Sequence, residues 1–127
     1  MMKYLPKLVV MIGILAVMMS GCAAQQSQEG EPQVRIQPSG IHEECLEIVP
    51  NQVVVYSFQT SRPVDFNIHY HRGEEVLYPV SEQNIASKDG EFMLGQEIEG
   101  PQGTCLMWEN PHNVYVNLNV EYTVRDQ

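Results

Sequence analysis

Residues 64–71 read VDFNIHYH, an unbroken alternation of apolar and polar side chains. Val64, Phe66, Ile68 and Tyr70 share one face; Asp65, Asn67, His69 and His71 share the other. A period of two is the signature of a strand with one face buried, and it fits no helix. Residues 114–124 (VYVNLNVEYTV) repeat it. There Val114, Val116, Leu118, Val120, Tyr122 and Val124 are predicted inward, and Tyr115, Asn117, Asn119, Glu121 and Thr123 outward. Two such strands need a second layer to cover their apolar faces. The chain is therefore predicted to be all-β, an antiparallel β-sandwich of about seven to eight strands.

The other strands follow from the same signals. Residues 43–49 (EECLEIV) alternate, Pro50-Asn51 marks a turn, and residues 52–60 (QVVVYSFQT) are rich in β-branched and aromatic side chains. Ser61-Arg62-Pro63 is predicted to break the chain before the strand at 64–71. Arg72-Gly73 turns it into residues 74–80 (EEVLYPV), where Pro79 points to a sheet edge. Residues 81–90 (SEQNIASKDG) read as a loop. Two further short strands, 91–99 and 103–109, are separated by Gly100-Pro101.

The N-terminus carries a different signal. Lys3 and Lys7 precede the apolar run LVVMIGILAVMM, residues 8–19. A run of about 12 suits a signal-peptide core and is too short for an ordinary membrane span. Met19-Ser20-Gly21-Cys22 follows and resembles the bacterial lipobox, with Met where Leu is usual. Residues 1–21 are thus expected to be a lipoprotein signal peptide and Cys22 the lipid attachment site. The alternatives are a plain secretory signal with a chance cysteine, or an uncleaved helix. Acyl chains such as palmitate anchor by burying CH₂ groups at about 0.8 kcal/mol each. The location this implies is the cell envelope. Ala23, and not Asp, follows the cysteine, which by resemblance to Gram-negative sorting rules points to the outer membrane, facing the periplasm. Residues 22–40, with Gln, Ser, Glu, Pro and Gly dominant, read as a flexible tether, and the domain as residues 41–127.

Removing residues 1–21 takes away two lysines and no acid, so the net charge moves from −9 to −11. Nucleic acid is excluded as a partner, because its phosphates need a basic surface. Docking on anionic lipid heads is disfavoured for the same reason. Solubility alone accounts for the acidity. Of three cysteines, Cys22 goes to lipid, leaving Cys45 and Cys105. In an exported chain an even pair reads as a disulfide, which the chain-entropy model values at about 4 kcal/mol here. Two buried thiols, or a thiol metal site, are the rival readings.

Three stretches in order carry a family resemblance. Cys45 opens ECLEIVPNQVVVYSF; VDFNIHYHRGEEVLYP forms a hairpin around a glycine; Gly103-Thr104-Cys105-Leu106-Met107-Trp108-Glu109-Asn110 precedes a long alternating strand. Over residues 41–125 the chain resembles GOLD domains, the β-sandwich modules of cargo receptors in the early eukaryotic secretory pathway. The resemblance implies a Cys45–Cys105 disulfide and a non-catalytic module that binds proteins or lipids. The receptors' membrane helix, coiled coil and sorting tail find no counterpart in this sequence, so cargo sorting is not implied.

His69-Tyr70-His71 is the sharpest chemical feature. Residues two apart on a strand share a face, and paired imidazoles suit copper or zinc. Met107, His42 and His112 are candidate further ligands that the sequence does not place. The plain alternative is a solvated strand face. The serines of the mature part lie in no nucleophile-elbow context, and the adjacent Glu74-Glu75 reads as an edge charge. The chain is therefore expected not to be an enzyme. Trp108 is assigned to the core. Tyr115, Asn117 and Asn119 are expected to extend a binding face around His69 and His71 if their strands are neighbours. The function expected is a lipid-anchored envelope module for a protein partner, without a cofactor. The alternative is a copper- or zinc-binding lipoprotein using His69 and His71.

Overall fold

The structure is a computed structural model, and residues 33–127 are described. The expected signal peptide, the expected lipid attachment site Cys22 and the expected tether up to residue 32 lie outside the described residues. Six antiparallel strands follow: β1 (Val34–Ile36), β2 (Ile41–Ile48), β3 (Gln52–Arg72), β4 (Glu75–Met93), β5 (Gln102–Glu109) and β6 (Val116–Asp126). No helix occurs among the described residues. The all-β expectation holds. In place of two separate sheets there is one curled sheet, in the order β1-β6-β3-β5-β2, with β4 on the other edge of β3.

The curl comes from β3. Its first part, up to Thr60, pairs with β6, and its second part, from Asp65, pairs with β5. Between them lie exposed Ser61, Arg62 and Pro63, and the register with β4 shifts twice across this stretch. Such irregularities bend a strand and increase its twist. Pro63 sits where one neighbour has ended and the next has not begun, so its missing N–H costs no ladder bond. The predicted break is thus a bend inside one strand. The predicted loop at 81–90 is also strand, because β4 follows β3 around the bend. Its sequence is polar because β4 has only one hydrogen-bonded neighbour and is largely exposed.

The turns are as expected. Gln52 N–H bonds Val49 O across Pro50-Asn51, with Asn51 at φ 74°. Gly73 has φ 63°, opening the two-residue turn that pairs Arg72 with Glu75. A positive φ in the first central position suits glycine. One correction concerns the tether. Its residues 34–36 form β1, paired with β6 from Val34↔Leu118 to Ile36↔Val116. Val34 and Ile36 supply the apolar side chains that tie this segment to the core. Asn110, buried, locks the corner: its Nδ2 donates to Val114 O at 2.8 Å and to Gln37 O at 3.0 Å.

The core joins the two halves of the sheet. Phe58 comes from the part of β3 beside β6, Phe66 from the part beside β5, and Trp108 from β5. Phe58 and Phe66 have centroids 4.8 Å apart, Phe66 and Trp108 5.3 Å, and Phe58 meets Trp108 edge-on at 5.6 Å. Each such pair contributes about 0.5–1.5 kcal/mol beyond area burial. Val64, Phe66, Ile68 and Tyr70 are all buried, as the alternation requires. In β6 the inward row holds at Val116 and Leu118 and is half-buried at Val120, but Tyr122 and Val124 are exposed, as is Val114 before the strand. The far end of β6 runs past the aromatic core.

Candidate functional site

The outer face of β2, β5, the second part of β3 and the start of β4 gathers the chemistry-bearing residues. Cys45 and Cys105 stand directly opposite each other on β2 and β5 and form a disulfide. On the other side of Cys105 its register partner is His69 of β3. One step along, Glu43 opposes Met107, and Met107 opposes Asn67.

His69 lies at the centre and is only 7% exposed. Its Nδ1–H donates to Asn67 Oδ1 at 2.8 Å, and Asn67 is itself buried. Its Nε2 lies 3.6 Å from Glu43 Oε1. The His71 ring stands 5.8 Å away at 76°, and the Tyr78 ring 5.6 Å away. The expected pair therefore does share a face, but His69 is covered and His71 is exposed. Tyr78 reaches His69 because the β3–β4 register shifts between Ile68 and Tyr70. Tyr78 remains 55% exposed, a ring standing proud of the sheet.

The other proposed ligands separate. Met107 is on this face, next to Asn67 in register. His42 stacks on Trp108 at 6.0 Å and bonds Glu44, and His112 bonds Pro63 O. Neither contributes to the site. Tyr115, Asn117 and Asn119 also lie elsewhere, since β6 pairs with the first part of β3: Asn119 opposes Gln59, Asn117 opposes Arg35, and Arg35 covers the Tyr115 ring. The idea of a joint face with His69 and His71 is corrected accordingly.

Among the described residues, the one group of three close metal-binding atoms is Glu43 with Cys45 and Cys105, all within 4.8 Å of one another. Sequence reasoning missed Glu43 and Tyr78. Glu43 was partly within reach of it: two positions from Cys45, it shares that residue's face, and the disulfide ties that face to β5, which the fold sets beside His69's strand. Tyr78 was not, because a register shift brings it there.

A second polar cluster sits at the edge of the core on β4. Lys88 hydrogen-bonds Glu82 beside Tyr56. That bond holds the Lys88 ammonium above its ordinary value, against some desolvation. Burial raises the Tyr56 phenol, partly offset by the Lys88 charge and reinforced by Glu82. Tyr56 lies over Gly90, where any Cβ would run into its ring.

No protein-family model matches the chain, and no curated protein matches it. It is similar to a solved structure, the solution NMR structure of a de novo designed double-stranded β-helix. Identity is 14%, the TM-score 0.35, and the match covers 72% of this chain and 95% of that one. A likeness of this size carries no functional argument.

Proposed function

We propose that this protein is a lipid-anchored envelope lipoprotein whose β domain is a non-catalytic, GOLD-like module holding a protein partner by its outer face around Tyr78. The observation that carries the reading is Tyr78 itself. It is a large exposed ring backed by the buried, hydrogen-bonded His69, and so it is held in place before binding. Rigid aromatic residues on a supported face are the usual anchors of protein interfaces. The signal-peptide and lipobox pattern supports anchoring through Cys22, with the domain displayed in the envelope, on the outer membrane in a cell that has one. The test is capture from detergent-solubilised envelopes by the tagged protein, beside Tyr78→Ala. A defined partner recovered by the first and lost by the second supports the reading. The same recovery by both contradicts it.

A second reading, copper or zinc binding at His69 and His71, has its own support. Asn67 Oδ1 accepts a hydrogen bond from the Nδ1–H of His69 and leaves Nε2 to ligate the metal, the usual way a ligating imidazole is oriented. Copper and zinc titration of the oxidised protein, beside a His69→Ala/His71→Ala double variant, tests it. Tight binding that the variant loses supports the reading, and its absence removes it.

A further inference from the structure

We propose that Cys45, Cys105, His69 and Glu43 make a latent site for a zinc-type divalent ion, closed while the disulfide is intact and opened when a dithiol reduces it.

Three of the four donor atoms are already gathered. A Glu43 carboxylate oxygen lies within 4.8 Å of both sulfurs. His69 Nε2 is 3.6 Å from Glu43 Oε1. Tetrahedral zinc, with bonds of about 2.0–2.3 Å, separates its ligand atoms by roughly 3.3–3.8 Å. Once the disulfide is cut, the sulfurs must part to that spacing, and His69, which is not in the 4.8 Å group, must close on them. Two sulfurs, one imidazole and one carboxylate are the donor types zinc selects.

The fold supplies the rest. Cys45 and Cys105 are held opposite each other by the β2–β5 ladder, which runs from Ile41↔Glu109 to Ile48↔Gln102. The sulfurs therefore remain neighbours once their bond is cut. Cys45 is exposed, so a reductant can reach it. Asn67 engages Nδ1 of His69, so that Nε2 is the nitrogen left to ligate. The chemistry balances. A dithiol gives two electrons and two protons to the S–S bond and becomes a disulfide. The two thiols formed release their protons as the ion binds both sulfurs.

This site does not use His71, which separates it from the copper or zinc reading above. The experiment takes the purified protein, reduces it with a phosphine under nitrogen, removes the phosphine, and titrates cobalt(II) beside the unreduced protein. The reduced protein is expected to bind one cobalt per chain, with a thiolate-to-cobalt charge-transfer band that zinc abolishes. The unreduced protein is expected to show no such band. His71→Ala keeps the band, His69→Ala and Glu43→Gln weaken binding, and Asn67→Ala weakens it about 10- to 100-fold. Far-ultraviolet circular dichroism monitors the sheet throughout. A reduced, folded protein without the band overturns the proposal, and so does loss of the sheet on reduction. A band unchanged by both His69→Ala and Glu43→Gln overturns the four-ligand assignment. Copper binding by the oxidised protein bears only on the His69/His71 reading.

Discussion

His69 Nδ1 donates to Asn67 Oδ1 at 2.8 Å, and both residues are buried on the face of the sheet turned away from the core. A polar pair in that position is stable only while each satisfies the other. Asn67→Ala is expected to leave the imidazole N–H unpaired and to destabilise the fold by about 1–3 kcal/mol. Urea denaturation measures this, and an unchanged midpoint would show that the pair is not structurally important.

Trp108 joins the halves of the curled sheet through Phe58 and Phe66, and its Nε1 has no hydrogen-bond partner. Trp108→Ala is expected to cost about 3–5 kcal/mol. Trp108→Phe removes ring volume but no hydrogen bond, so it should cost distinctly less. The order of the two denaturation midpoints checks the packing role.

Tyr56 and Lys88 both hold their protons more tightly in the folded than in the unfolded chain, whose ordinary values are 10.0 and 10.5. Above pH 10.0 the unfolded state therefore binds fewer protons than the folded one, and stability falls as pH rises. The share from these two groups is complete below that pH and is lost as pH passes through their raised folded values. Thermal unfolding over an alkaline pH series should show the decline, and Tyr56→Phe should make it shallower. An identical slope in the variant would remove Tyr56 from the explanation.

Cys22→Ala removes the proposed lipid attachment thiol. The expected outcome is a protein no longer labelled by palmitate and released from the membrane fraction. Retention on the membrane with undiminished labelling would contradict the anchoring proposal.

The inward row of β3 was legible because its period of two describes a strand covered on one side. Its continuation through Pro63 was not, because proline signals a break whether the strand ends or merely changes neighbours. Residues 81–90 misled for a related reason: an edge strand with little burial has the composition of a loop. The tail of β6 kept its alternation beyond the core, so Tyr122 and Val124 read as inward although solvent reaches them. In the site, His69 and His71 were visible as a pair from spacing alone. The burial of His69 was not, since it depends on Tyr78, which a register shift brings alongside.

Binding of a protein partner through the Tyr78 face is tested by photo-crosslinking in living cells, with a crosslinking residue placed at Tyr78 and, in a parallel strain, at Asp89. Asp89 is exposed on the part of β4 that pairs with the first part of β3, away from the His69 face. A discrete crosslinked protein species is expected at Tyr78 and is expected to be absent at Asp89. Identical patterns at the two positions, or no adduct at Tyr78, would contradict an interaction module working through this face.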